Sequence, residues 1–121
     1  MPSPEIAPLV AAVQTCLDET EAEYGQMPLL VRLMVKRGFV KRSGHDFARW
    51  RDLLAAAARG TAEPGLAGAL AQLAEHYRGA PERARRGMGA TGPQLAIVEA
   101  RSRARVEAVV ALAGGLATAR G

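Results

Sequence analysis

The sequence predicts an all-α fold, a helical bundle of five to six helices with short loops. Three observations carry this. Apolar residues recur at three- and four-residue spacing through most of the chain. Alanine is abundant, in runs such as Ala55 to Ala58, and it loses no side-chain entropy in a helix. No segment sustains the period-two alternation of a half-buried strand. The 121 residues suit one α-helical domain over 1–121. At that size roughly two thirds of the unfolded surface can be buried, so a core needs no staples.

The first helix is expected from about Pro4 to Tyr24. Its stripe is Ile6, Leu9, Val10, Val13, Leu17 and Tyr24, with Cys16 and Thr20 on the same side. Ser3 can cap it, Pro4 suits its first position, and Pro8 is tolerable only in the first turn. A second helix is expected from Met27 to Arg37, with Gly38 as the residue that ends it. Met27, Leu30, Val31, Leu33, Met34 and Val35 make it apolar over much of its circumference, which predicts a place at the centre of the core.

Phe39 to Arg42 reads as a connector. Ser43 and Asp46 read as a capping box opening a third helix over roughly 44–59, which buries Phe47, Trp50, Leu54 and Ala57. Thr61 to Pro64 starts a fourth helix with Leu66, Leu70, Leu73 and Tyr77 on one stripe, ended by Gly79. Pro81 starts one or two turns through Arg86. Gly87, Gly89 and Gly92 mark a loop, and Pro93 opens a last helix to about Ala117. That helix carries Leu95, Val98, Ser102, Val106, Val109, Ala113 and Leu116 at heptad-like spacing, a thin seam that permits pairing with a second copy.

Charge is distributed unevenly. Residues 1–31 hold five acids (Glu5, Asp18, Glu19, Glu21, Glu23) and no Lys or Arg. Residues 32–121 hold all sixteen basic residues against seven acids. Such asymmetry implies an internal charge match or a polyanionic partner. The densest basic stretch is Arg32, Lys36, Arg37, Lys41, Arg42, Arg49 and Arg51, opposed only by Asp46 and Asp52. Lys36-Arg37 and Lys41-Arg42 flank Gly38, so the four cations are expected to converge at a helix–helix corner and contact phosphates. Their bland alternative is a solvated face, or partners for the acidic first helix. A secondary anion site is expected at Arg83, Arg85 and Arg86, ahead of the glycine loop and the helix start at Pro93. Arg101, Arg103 and Arg105 are expected to be solvated.

The run from Arg32 to Arg42 resembles the recognition helix and first wing strand of winged-helix regulators. Residues from Ser43 onward read as helix, so the second wing strand has no counterpart, and the second helix is too broadly apolar for an exposed reading helix.

No catalytic residues and no cofactor are expected. His45 and His76 have no cysteine or paired acids to complete a metal set, and neither is spaced to a nucleophile. Cys16 lies on the buried stripe and cannot form an internal disulfide. The start of the chain reads unlike a signal peptide and no run is long enough to span a membrane, so a cytoplasmic location is expected. The functional expectation is a non-catalytic nucleic-acid-binding subunit with little sequence preference. The alternative is a helical adaptor or homo-oligomeric subunit whose basic face meets an acidic protein surface.

Overall fold

The computed structural model describes residues 5–120. Among them are six α-helices and no strand: α1 (Ile6–Gly25), α2 (Leu29–Ser43), α3 (Phe47–Ala58), α4 (Leu66–Arg78), α5 (Ala80–Met88) and α6 (Gly92–Arg120). The all-α bundle is therefore as predicted. Ser3 and Pro4, expected to open the first helix, lie outside the described residues. Pro8 falls in the first turn of α1, where its missing N–H is not needed.

One hydrophobic cluster joins five helices. It takes Val10, Val13 and Leu17 from α1, Phe39 from α2, Trp50 and Leu54 from α3, Leu70, Leu73 and Tyr77 from α4, and Val109 and Leu112 from α6. Each large side chain buried this way contributes about 1.5–3 kcal/mol of transfer free energy. Helix α4 lies at the centre, packed against α6 on one side and α2 on the other, while α1 packs on α6 and α3. The stripe predicted for α4 is buried in full: Leu66, Leu70, Leu73 and Tyr77. In α3, Leu53 joins the predicted Phe47, Trp50, Leu54 and Ala57.

The second helix departs from expectation in three ways. It does not stop at Gly38 but continues through Phe39 to Arg42, so the expected connector is helix. Phe39 supplies the reason. Its ring is fully buried, stacked on Phe47 with centroids 4.2 Å apart and edge-on to His76 at 5.0 Å. That packing outweighs the roughly 1 kcal/mol that a mid-helix glycine costs. The helix ends instead at Gly44, whose φ of 90° is the left-handed conformation that favours glycine.

The capping box is also corrected. Ser43 is the last residue of α2. Its hydroxyl donates to the His45 carbonyl at 3.0 Å and accepts the Trp50 indole N–H at 3.1 Å. The N-cap of α3 is Asp46, whose carboxylate accepts the Arg49 backbone N–H at 2.8 Å.

Third, α2 is not central. Only Phe39 and Ser43 are buried. Its C-terminal half is anchored by those two residues, while its N-terminal half leaves Leu29, Leu30, Leu33 and Met34 at 62%, 75%, 54% and 71% exposure.

The glycine loop is shorter than predicted. Helix α5 runs to Met88 and α6 begins at Gly92, so only Gly89, Ala90 and Thr91 link them. The stripe of α6 is turned inward, with Ser102 and Val109 buried and Val106, Ala113 and Leu116 packed against the core, and Leu112, which the predicted stripe left out, is buried as well.

Candidate functional site

The outer face of α2 is built from two ridges. Leu30, Met34, Arg37 and Lys41 follow one another at spacings of four, three and four residues, and Leu29, Leu33, Lys36 and Val40 form the adjacent ridge. All eight are exposed. Apolar and cationic groups therefore separate along the helix axis rather than around it. The exposed N-terminal half is apolar and the C-terminal half, anchored by Phe39 and Ser43, is cationic. No acid occurs between Glu23 and Asp46.

The predicted basic residues scatter over this frame. Because α2 is continuous through Gly38, Lys36-Arg37 and Lys41-Arg42 do not meet at a corner. Arg37 and Lys41 share the outer ridge, Lys36 stands on the neighbouring one, and Arg42 points toward α4. Arg32 is half-buried and donates to the Met27 carbonyl at 3.2 Å, closing the turn before α2. Arg49 pairs with Glu63 at 2.9 Å. Arg51 bridges Asp18 at 2.9 Å and Glu21 at 2.6 Å, and those bonds raise its pKa. Arg49 and Arg51 thus leave the expected phosphate face, and Arg51 instead makes the internal match to the acidic first helix.

The secondary anion site also divides. Arg85 and Arg86 both pair with Glu82. Arg83 alone turns inward and donates to the His76 carbonyl at 2.6 Å.

His76 forms a second feature, hidden in the sequence. It is buried, and Arg42 Nε–H donates to its Nδ1 at 3.2 Å while Arg83 lies 3.4 Å from the same nitrogen. A ring nitrogen facing two cations is an acceptor, so the imidazole is neutral with its proton on Nε2. Burial first, then the charges of Arg83, Arg42 and Arg105, push its pKa down to about 3.

Beside it, Thr20, Glu23, Tyr24, Tyr77, Arg83, Arg101 and Arg105 border a cavity of about 100 Å³. Arg105, expected to be solvated, is buried. It donates to Glu23 at 2.5 Å and lies 3.5 Å from Glu19. The sequence held one signal for this, the i,i+4 pair Glu19 and Glu23 on a single face of α1. The Tyr77 hydroxyl lies 2.8 Å from Thr20, whose own hydroxyl donates to the Cys16 carbonyl at 2.7 Å, so the phenol is the donor.

Comparison with known proteins finds no matching family model, no matching curated sequence and no matching solved structure. No helix among the described residues is long and apolar enough to cross a membrane.

Proposed function

We propose that the chain is a non-catalytic helical adaptor whose α2 docks on a helix of a partner protein, apolar at one end and acidic at the other. One observation carries this reading: four large apolar side chains, Leu29, Leu30, Leu33 and Met34, stand more than half exposed on adjacent ridges of one helix. Contiguous apolar exposure of this kind marks interaction surfaces. Two ridges at three- and four-residue spacing suit an amphipathic helix laid alongside. Lys36, Arg37 and Lys41 continue the same ridges, and acids on the partner would complement them.

A second copy of this chain is a poorer occupant. On α1, Asp18 and Glu21 are bridged by Arg51, and Glu19 and Glu23 by Arg105. A copy would have to break those pairs to offer an acidic run. The non-catalytic part of the reading is supported by the histidines and the cysteine. His76 is neutral and enclosed by arginines, and His45 lies edge-on to Trp50. Cys16 is buried, and burial raises its thiol pKa.

The test is selection of helical peptides displayed as a library, using the wild-type chain as bait and an L30S/M34S variant for counter-selection. Enriched peptides should carry leucine or isoleucine at heptad spacing followed by a block of Asp and Glu. They should bind the variant at least about tenfold more weakly, since each buried large side chain is worth about 1.5–3 kcal/mol. Equal binding to both proteins would remove the reading.

A second reading is favoured by a separate observation. Lys36, Arg37 and Lys41 are exposed, with no acid paired to them among the described residues, on a helix that contains none. Such a line of cations suits nucleic-acid phosphates, read with little sequence preference. Labelled oligonucleotides titrated across salt separate the two. On this reading, alanine at Lys36, Arg37 and Lys41 abolishes binding while L30S/M34S leaves it intact.

A further inference from the structure

The half-buried guanidiniums of this protein are not treated alike. Arg51 bridges two carboxylates, and so does Arg105. Arg83 has none. Its bonds go to the carbonyl and ring nitrogen of His76, which carry no negative charge. Burial and the nearby Arg42 both pull its pKa down, so the surroundings oppose its charge rather than balance it. A half-buried cation without a counter-charge is a deficit that an anion can fill.

The geometry around Arg83 repeats at Arg42. Gly79 lies four residues before Arg83, and Gly38 four residues before Arg42. A Cβ on Gly79 would sit 2.6 Å from the Arg83 guanidinium, and a Cβ on Gly38 would sit 2.6 Å from that of Arg42. Each guanidinium therefore reaches into space beside a glycine that a Cβ would fill, and both converge on His76. The charges around the cavity do not cancel. Arg83, Arg101 and Arg105 line it with Glu23, which pairs with Arg105 at 2.5 Å and with Arg101 at 3.7 Å, an excess of two positive charges. Tyr24 borders the same space, and a phenol can donate a hydrogen bond.

We propose that this cavity binds a single phosphate group, held by Arg83 and Arg101 with the Tyr24 hydroxyl as a third donor. A phosphate dianion matches the excess charge, and its three oxygens outnumber what a carboxylate can offer to these donors. The volume of about 100 Å³ is well below the ~300–1,000 Å³ of pockets that enclose larger organic ligands. Only the phosphate itself enters. This site lies apart from the ridges of α2, and it stands or falls independently of the docking face.

The experiment is titration calorimetry at constant ionic strength with inorganic phosphate and, separately, phenyl phosphate, alongside NMR titration of the His76 ring. Inorganic phosphate should bind the wild-type chain in a one-to-one complex and raise the His76 pKa, because a dianion then faces the ring. R83Q should lose at least about tenfold in affinity while its near-ultraviolet circular dichroism stays unchanged. G79A, which keeps Arg83 but occupies the space its guanidinium reaches into, should lose affinity as well. R86Q, whose arginine is paired with Glu82, should bind as wild type does. If phenyl phosphate binds too, the ligand is a phosphate carried on a larger molecule. If only inorganic phosphate binds, it is the free ion. No heat with either, or equal heat with wild type and R83Q, would overturn the proposal.

Discussion

Arg105 of α6 donates to Glu23 of α1 at 2.5 Å, with its own side chain only 10% exposed. The guanidinium also sits 5.7 Å from the centroid of the Tyr77 ring, so one residue ties α6 to both α1 and α4. Burial acts against its charge, but the bonds to Glu23 leave its pKa raised on balance. Glu23 remains more than a third exposed, so the pair is partly screened and falls short of a fully buried one. Replacing Arg105 with Ala should lower stability by about 1–3 kcal/mol in urea unfolding. Arg105→Met should cost less, since its stem still covers Tyr77. Part of the wild-type advantage should persist in high salt, because the buried guanidinium is screened less than an exposed one and its stem still covers Tyr77. A loss that vanishes in salt would make the contact a surface pair.

Asp46 takes the N-cap role that the spacing suggests for Ser43, while Ser43 closes α2 and holds the Trp50 indole, and two alanine substitutions separate those roles. Asp46→Ala removes a side chain that accepts the Arg49 N–H at 2.8 Å and should cost about 1 kcal/mol, as for other lost N-caps. Ser43→Ala leaves the buried Trp50 indole N–H without an acceptor and should cost about 1–3 kcal/mol, despite the better helix propensity of alanine. The Trp50 emission reports which is which: it should shift in the Ser43 variant and hold in the Asp46 variant. A shift in the second alone would reverse the assignment.

What the sequence made legible follows from the range of each signal. Leu66, Leu70, Leu73 and Tyr77 alternate with Ala, Gln and Glu, so periodicity alone located the buried face of α4. The outward stripe of α2 is as regular as any core stripe, and regularity does not say whether a partner inside the chain exists. Gly38 and Gly44 are equally good stops by local rules. Only the stacking of Phe39 on Phe47, eight residues on, decides between them. The pairing of Arg51 with Asp18 and Glu21 spans about thirty residues and depends on how α1 and α3 pack. The uneven charge distribution foretold an internal match without naming the arginine that makes it. The convergence of Arg42 and Arg83 on His76 joins three helices and had no local trace at all.

The burial of neutral His76 makes stability depend on acid. Its folded pKa is about 3, below the ordinary value of 6.5, because burial and then the neighbouring arginines oppose the imidazolium. As pH falls below 6.5 the unfolded chain takes up a proton that the folded chain refuses. Stability is therefore complete above 6.5 and declines on the way down toward 3, by about 1.4 kcal/mol per pH unit at most. Between pH 6.5 and 5 the loss should approach about 2 kcal/mol, in a window above the range where ordinary carboxylates titrate. His76→Asn offers Arg42 an amide oxygen and has no proton to gain, so its stability should be flat across that window. Equal slopes for the two proteins, in urea unfolding at several pH values, would show that His76 is charged when folded.

Gly38 sets helix stability against the placement of Arg42. It lies inside α2, where alanine is favoured by about 0.5–1 kcal/mol. A Cβ there would meet the Arg42 guanidinium at 2.6 Å, the far end of a flexible and exposed side chain that can swing away. Gly38→Ala should therefore raise the melting temperature by a few degrees. The displaced Arg42 no longer donates to His76 Nδ1, so one of the cations that hold the ring neutral is lost. The His76 pKa, read by NMR, should move upward in the same variant. A gain in stability with an unmoved His76 would mean that Arg42 swings over the new methyl and keeps its bond. A loss of stability would mean that the Arg42–His76 contact contributes more to the fold than the helix gains from alanine.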